Sequence, residues 1–286
     1  MGDYVITLSS IPPRFAGLGR TLESLLAQSV KPARVILYLS REYRRFPDWD
    51  GTLPEVPDGV EIRLVDEDFG PATKVLPALR DFAGQDIDIL FCDDDQVYRP
   101  CIAERLLAAR AKRPNDCIAI NPMADFEPPE GAHKRQDVKR PKLLRLWKVT
   151  HVPFHIRRHW RGLVCWITGA PYKDPPRRLL MRSGYGDAFE GWMGVLVRPE
   201  FFPEEVFDIP DFAWPVDDVW LSGQATRMGH PAWIIGGFFE PILMPENQES
   251  HFSDSALHNQ VFGGAGRDDS NVKAVRYFQE TYGIWR

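Results

Sequence analysis

Short apolar runs alternate with helically spaced apolar positions along the first 122 residues of the chain. Residues 4–8 and 35–39 are β-branched runs of the kind found in buried strands. Between them, four leucines recur at helical spacing within residues 18–28. A strand, a helix and a second strand in this order predict a βαβ unit and therefore a parallel sheet.

The same alternation continues to residue 122. It predicts further strands at 60–65, 88–92 and 117–120 and helices at 72–82 and 100–111. We therefore expect an α/β fold, with a Rossmann-like and mainly parallel sheet flanked by helices. Sheets of this kind bind their ligands at the carboxyl ends of the strands.

The second half of the chain is less regular. Its pattern predicts a strand at 191–197, a helix at 217–228 and a strand at 233–235. Pro153 argues against a regular helix in the basic and aromatic stretch around it. The glycines at 263–266 predict a loop or a flexible lid.

No linker or internal repeat divides the sequence. We therefore predict a single domain over 1–286, in which 1–122 forms a nucleotide-binding half and 123–286 an irregular second half.

Charge is distributed unevenly along a chain whose formal net charge is −5. Residues 133–161 hold ten Lys or Arg and a single acid, Asp137. The net acidity argues against nucleic acid as a partner, whereas the basic segment favours an acidic glycan, a lipid-linked molecule or a membrane surface. The four cysteines include no Cys-x-x-Cys pair, so we expect free thiols in a reducing compartment such as the cytoplasm.

Three consecutive carboxylates, Asp93, Asp94 and Asp95, follow directly on the apolar run that ends at Cys92. Buried acids need a cation or hydrogen-bond donors. On an extended backbone Asp93 and Asp95 project to the same side, and their oxygens suit Mg²⁺ or Mn²⁺, which would neutralise a diphosphate. The alternative is an acidic turn that caps the helix starting near Pro100.

Two further polar stretches lie beside predicted helix starts. Asp68 and Lys74 flank a Gly-Pro turn, where backbone N–H groups and a lysine charge would suit a phosphate. A helix cap by Asp68 is the alternative. Asp217 and Asp218 begin the helix predicted at 217–228, and either acid could instead be its N-cap.

Two other pairs of residues are candidates because of their side-chain chemistry alone. Glu190 and Trp192, with the glycines beside them, could contact a sugar by hydrogen bonding and ring stacking, or could pack in the core. His151 and His155 are four residues apart but lack the intervening Glu of a zinc site, so we do not expect zinc there.

Four of these stretches together resemble the GT-A glycosyltransferases, and in particular the family-2-like bacterial enzymes. The stretches are residues 7–14, 70–74, 93–98 and 217–221, in the order that the family has them. The acids at 93–95 would correspond to the family's DxD motif. The resemblance implies the fold and the reaction class, and it does not specify the sugar.

The resemblance implies roles for residues on the donor side. Mn²⁺ or Mg²⁺ would be held by Asp93, Asp95 and a late histidine, His251. The nucleotide would be bound by the following residues: Thr7, Ser9, Arg14, Asp68, Lys74, Asp93 and Asp94.

On the acceptor side, the resemblance implies a general base near the start of the helix at 217–228. Asp218 is the leading candidate and Asp217 the next. Glu190 and Trp192 would contact the acceptor. Direct displacement with inversion is expected, and retention of configuration stays open.

The expected function is metal-dependent transfer of a sugar from a nucleoside-diphosphate sugar, with a UDP-sugar favoured, to a glycan or lipid-linked acceptor. The expected place is the cytoplasm or the inner face of the membrane, which 133–161 could contact. Nucleotidyl transfer is one alternative, although its glycine-rich loop after the first strand is missing. A non-catalytic carbohydrate- or membrane-binding module is another, and it leaves the acids at 93–95 and Lys74 unexplained.

Overall fold

An eight-stranded sheet lies at the centre of the molecule, in a computed structural model that describes residues 3–123, 125–129, 138–143, 152–172, 180–237, 242–243 and 266–286. The described strands are β1 (Tyr4–Ser9), β2 (Arg34–Ser40), β3 (Val60–Val65), β4 (Asp88–Phe91), β5 (Gln96–Val97), β6 (Cys117–Pro122), β7 (Lys142–Leu143), β8 (Leu180–Arg182), β9 (Gly184–Tyr185), β10 (Phe189–Val197), β11 (Ala232–Ile234) and β12 (Ile242–Leu243). Strands β5 and β12 form a separate two-stranded sheet, as do β7 and β8. The helices are α1 (Leu18–Leu26), α2 (Leu76–Asp81), α3 (Ile102–Arg110), α4 (Val152–Thr168), α5 (Asp217–Arg227) and α6 (Arg267–Tyr282). Short 3₁₀ helices lie at Pro12–Gly17, Gly70–Lys74, Pro199–Phe201 and Glu204–Phe207.

Most strands of the large sheet point in one direction. Their order is β3-β2-β1-β4-β10-β6-β11-β9. The pairs from β3 to β4 are parallel, as is β6 with β11, whereas β10 runs antiparallel to both of its neighbours, β4 and β6. The predicted α/β class, with a mainly parallel sheet flanked by helices, is confirmed.

Side chains alternate between two apolar cores, one on each face of the sheet. In β1, Val5 contributes to the core that contains residues of α2, α5 and α6, while Ile6 contributes to the core with α1 and α3. Both side chains are fully buried. Strand β1 is therefore covered on both faces, as its continuous apolar run predicts.

The helix predicted at 72–82 divides into two elements. A 3₁₀ helix covers Gly70–Lys74, and α2 then begins at Leu76, after a break at Val75. Pro77 explains the break, because a proline ring clashes with the carbonyl four residues before it and cannot continue a helix already under way.

Two helices of the second half differ from the sequence-based expectation. Helix α4 is regular and contains Pro153 in its first turn, where a missing N–H is tolerated because the first four N–H groups of a helix have no intrahelical partner. Helix α6 is absent from the prediction, which ends in a glycine-rich loop. Of residues 263–266 only Gly266 is described, and it is the N-cap of α6.

Replacing Gly223 by Ala should destabilise the protein, because the close approach of α5 to α6 leaves no room for a methyl group. A Cβ at position 223 would lie 2.3 Å from the ring of Phe278. We expect the free energy of unfolding, measured by urea denaturation, to fall by about 1–3 kcal/mol.

Gly19→Ala in α1 is the matched control, because a Cβ there would meet nothing within 4 Å. A glycine in an open helical position is less favourable than alanine by about 0.5–1 kcal/mol, so this variant should gain stability. A similar change in both variants would contradict the tight contact between α5 and α6.

Candidate active site

A cleft of about 690 Å³ opens at the carboxyl ends of β1 and β4. The order of the strands reverses between these two, and such a switch point is where open α/β sheets bind ligands. Most of the candidates from the sequence line this one cleft. They are Ser9, Arg14, Asp68, Lys74, Asp93, Asp94, Asp95, Glu190, Trp192, Asp217 and Asp218.

Lys74 joins two of the predicted stretches. Its buried Nζ lies 2.8 Å from Asp93 Oδ1 at the end of β4 and 2.8 Å from Asp217 Oδ2 at the start of α5. Burial favours the neutral amine, but Asp217, Asp93 and Asp218 outweigh it and raise the pKa of Lys74 well above its usual value. The lysine is therefore a fixed positive charge at the base of the cleft.

Asp93 is the acid that Lys74 keeps ionised. Burial alone would raise the pKa of this carboxyl, and the charge of Lys74 more than compensates, so its pKa lies below the usual value. The buried hydroxyl of Tyr98 accepts a hydrogen bond from the Asp93 amide at 2.9 Å and donates to the carbonyl of Trp192 at 3.0 Å. Tyr98 thus ties the end of β4 to β10.

Asp94 and Asp95 face a different cation. Arg14 Nη1 is 2.7 Å from Asp94 Oδ1 and 3.5 Å from Asp95 Oδ2, and Ser10 Oγ donates to Asp94 Oδ2. The charge of Asp94 raises the pKa of Arg14 above its ordinary value. The extended backbone expected for residues 93–95 is not observed, because residues 94–95 form a turn.

The antiparallel strand β10 extends past the end of β4 into the cleft. Val195 pairs with Phe91, the last residue of β4, so the residues before Val195 lie beyond it. The register of β10 against β6 shifts between Glu190 and Val195, an irregularity that changes where side chains point. Within this stretch, the Gly191 amide donates to Asp218 Oδ1 at 3.0 Å.

Gly191 leaves room for the side chains of Lys74 and Asp218 beside the strand. A Cβ at position 191 would lie 2.9 Å from Lys74 Nζ and 3.1 Å from Asp218 Oδ1. The neighbouring Trp192 donates its Nε1 proton to Glu190 Oε2 at 2.7 Å, and Asn121 donates to the same oxygen. Glu190 and Trp192 therefore form a hydrogen-bonded pair at the wall of the cleft.

Asp217 and Asp218 occupy the first turn of α5. The N-cap position is Val216, and among the described residues no side chain caps this helix, so the capping alternative is not observed. Burial and the adjacent Asp217 raise the pKa of Asp218 well above its usual value. The two neighbouring acids thus differ, since Asp217 contacts Lys74 directly whereas Asp218 is bonded to a backbone amide.

The other capping alternatives have different outcomes. Helix α3 has Cys101 at its N-cap position, and within the described residues no side chain caps it, so the acids at 93–95 are not its cap. Asp68 is not the cap of the 3₁₀ helix Gly70–Lys74, whose N-cap position is Phe69, but it holds the turn before that helix, because its Oδ1 accepts the Gly70 amide at 2.9 Å and its Oδ2 accepts the Arg44 amide at 2.7 Å.

Of the remaining candidates, two do not line the cleft and two lie outside the described residues. Thr7 is buried inside β1 and does not line the cleft within the described part of the chain. His251 and His151 lie outside the described residues. His155 belongs to α4, and no set of three potential metal ligands is present in the described residues there or elsewhere.

Several residues that line the cleft were not anticipated. Arg267, Asp268 and Asn271 come from the start of α6, and Arg45 and Trp214 from loops. Arg267 favours the ionised forms of both Asp93 and Asp218. The signal in the sequence was the four-residue spacing of Ala274 and Phe278, which are buried, behind an acidic first turn.

A divalent cation fits these carboxylates by donor type, since all are hard oxygen ligands. Asp94 has both oxygens bonded within the protein, whereas Asp93 accepts Lys74 at Oδ1 and its side chain is 30% exposed to the cleft. Mg²⁺ is commonly held by one or two carboxylates together with substrate phosphates. Asp93, with Asp95 beside it, fits that kind of site better than a site made by the protein alone.

Asp218→Asn should make the protein more stable at neutral pH. The pKa of Asp218 is raised in the folded state, so the unfolded chain releases this proton at lower pH than the folded protein does. The resulting loss of stability is absent below the unfolded pKa of about 4 and grows as the pH rises from there to the folded pKa. Asn keeps an oxygen for the Gly191 amide and removes the ionisation. The urea midpoint of the variant should exceed that of the wild type near pH 8 and approach it near pH 4.

The control for this comparison is Asp86→Asn, which replaces an exposed acid outside the cleft. Its stability relative to the wild type should change little between the two pH values. If Asp218→Asn were no more stable than the wild type near pH 8, the raised pKa of Asp218 would be refuted.

Comparison with known proteins gives matches in backbone structure and none in sequence. No protein-family model and no curated protein sequence matches the chain. Glucosyl-3-phosphoglycerate synthase from Mycobacterium tuberculosis, solved with Mn²⁺, uridine diphosphate and glucosyl-3-phosphoglycerate, is similar in structure with 11% identity and a TM-score of 0.42, over 99% of this chain and 80% of its own. S. aureus TarS in complex with UDP has 11% identity and a TM-score of 0.41, over 98% and 72%. A mycobacterial protein has 11% identity and a TM-score of 0.44, over 99% and 75%.

Proposed function

We propose that the cleft transfers a sugar from a nucleoside-diphosphate sugar to an acceptor hydroxyl, as a GT-A glycosyltransferase would. The observation that supports this most is the convergence of four separate sequence stretches on one cleft. Residues 7–14, 70–74, 93–98 and 217–221 each contribute at least one lining side chain. Their side chains are also bonded to one another, through Lys74 and Arg14.

On the donor side, positive charge is available for a diphosphate. Arg14, Lys74 and Arg267 line the cleft, with Ser9 at the end of β1. A UDP-sugar is the favoured donor, in line with the resemblance. In this proposal Asp68 shapes the loop that borders the nucleotide, since both of its oxygens hold backbone amides.

Mn²⁺ or Mg²⁺ would be held by Asp93 and Asp95, with His251 as a further candidate ligand. When bound, such an ion neutralises the charge of the departing diphosphate. Asp94 keeps a supporting role, because its bonds to Ser10 and Arg14 hold the turn that presents the other two acids.

On the acceptor side, Asp218 is the proposed general base and Asp217 the second choice. The acceptor oxygen attacks the anomeric carbon, the bond from that carbon to the diphosphate oxygen breaks, and the hydroxyl proton passes to the Asp218 carboxylate. The raised pKa of Asp218 makes it a stronger proton acceptor than an ordinary aspartate. Inversion follows from a single displacement, and Glu190 and Trp192 would contact the acceptor.

The acceptor in this proposal is a glycan or a lipid-linked molecule, with an anionic one favoured by the basic segment 133–161. The four cysteines are free, which fits a reducing compartment, and we place the enzyme in the cytoplasm. Peripheral membrane association at the inner face belongs to the same proposal. Polysaccharide biosynthesis is the kind of process that such an enzyme would serve.

Nucleoside diphosphates should stabilise the wild type against heat only when Mn²⁺ or Mg²⁺ is present. At a ligand concentration of about 100 Kd the gain would be about 2.7 kcal/mol, which is readable as a shift in Tm. Asp93→Asn should lose this metal-dependent shift, whereas the exposed Asp86→Asn should keep it. The absence of any metal-dependent shift in the wild type would contradict the donor site.

Asp218→Asn should slow sugar transfer by about 10²–10⁴-fold while donor binding stays intact. Release of nucleoside diphosphate from a UDP-sugar, with water as the acceptor, measures the reaction before the natural acceptor is known. Release of pyrophosphate instead would favour nucleotidyl transfer. Unchanged turnover in Asp218→Asn, with Asp86→Asn as the reference, would exclude Asp218 as the base.

A further inference from the structure

Helix α4 is almost entirely exposed, although half of its residues are apolar. Phe154 is the buried residue among those described in this helix. Five large apolar side chains, Val152, Ile156, Trp160, Leu163 and Ile167, are between 48% and 68% exposed. Contiguous exposed apolar surfaces of this kind mark contact sites for other molecules.

These five residues form one stripe along the helix. They recur at intervals of four, four, three and four residues, which is the spacing of one helical face. Val164 is also exposed and extends the stripe, and Trp166, the most exposed of these large apolar residues, borders it. We call the five residues the apolar stripe of α4.

The other side of the helix is partly covered. Phe154 is buried there, Cys165 Sγ lies 3.8 Å from the Pro171 carbonyl, and a Cβ at Gly162 would lie 3.8 Å from the ring of Tyr172. The segment that follows α4 therefore folds back along its non-stripe side. The apolar stripe lies on the opposite side of the helix and is exposed.

Positive charge surrounds the apolar stripe. Arg157, Arg158 and Arg161 lie on the helix with His155 and His159, and no Asp or Glu occurs within 152–168. The sequence immediately before α4 is also strongly basic, with a single acid between 133 and 161. The partner of this surface must therefore combine an apolar interior with negative charge.

A second copy of the chain does not meet that requirement. Pairing of two α4 stripes would bring the arginines of both helices together without an acidic residue on either helix to compensate them. A bilayer with anionic lipids offers both components, since acyl chains would receive the stripe and head groups the arginines. Trp160 and Trp166 are also the residue type that prefers the membrane interface.

The helix would lie along the membrane surface and not cross it. Its 17 residues span about 25 Å, and the arginines occur in its middle. In the described part of the chain, no helix is both long and apolar enough to traverse a bilayer.

We propose that α4 binds an anionic membrane surface, with the apolar stripe in the interface and the arginines at the lipid head groups. This surface rests on, and makes specific, the membrane association within the proposed function, whereas its test by vesicle binding does not require sugar transfer. It assigns the membrane contact to one helix and one face.

The test is co-sedimentation of the full chain with vesicles. Phosphatidylcholine vesicles are compared with vesicles that also contain phosphatidylglycerol, at low and at high salt. The wild type should bind the anionic vesicles and dissociate as salt screens the head groups. Ile156→Ser/Leu163→Ser should lower the partition coefficient at least tenfold, and Arg158→Gln/Arg161→Gln should weaken binding to the anionic vesicles selectively.

The matched control is Leu53→Ser/Met228→Ser, which removes apolar side chains of similar exposure, 43% and 47%, outside α4. It should bind as the wild type does, and thermal melting checks that all variants are folded. Equal binding by the stripe variant and the control would overturn the proposal, as would equal binding to neutral and anionic vesicles. A wild-type dimer that Ile156→Ser/Leu163→Ser converts to a monomer would overturn it too, because a second copy would then cover the stripe.

Discussion

The buried ammonium of Lys74 is the interaction on which the cleft depends. Asp93 comes from the end of β4, Asp217 from the start of α5, and both contact the same Nζ. Removing one member of a buried ion pair typically costs about 3–5 kcal/mol, because the charge that is left has no compensation. The end of β4 and the start of α5 are therefore held together through the shared contact with Lys74.

This arrangement shifts the pKa values of two acids in the same cleft in opposite directions. Asp93 is kept ionised by the lysine, while Asp218 is buried next to another acid and resists ionisation. Pairs of acids whose environments separate their pKa values are typical of sites that move protons. Gly191 makes the arrangement possible, since it offers a backbone amide to Asp218 where any side chain would meet Lys74.

The sequence predicts the parts of the fold that depend on local pattern. Continuous apolar runs identified β1, β2 and β4, because buried parallel strands need apolar residues on both faces. The position of Asp93 at the cleft followed, since the carboxyl ends of parallel strands meet at one edge. Contacts between residues far apart in the sequence could not be predicted in this way. Arg14 bonds to Asp94, eighty residues later, and α6 contributes to the cleft from the far end of the chain.

The antiparallel strand β10 has a consequence for how the chain can be divided. It lies between β4 and β6, which are not neighbours in the sheet although both belong to the first 122 residues. A fragment ending at residue 122 would leave the hydrogen-bonding edges of β4 and β6 without the strand that joins them, and open edges of this kind recruit other chains. If the chain is divided at residue 122, both fragments must therefore be expressed together, so that β10 can pair with β4 and β6.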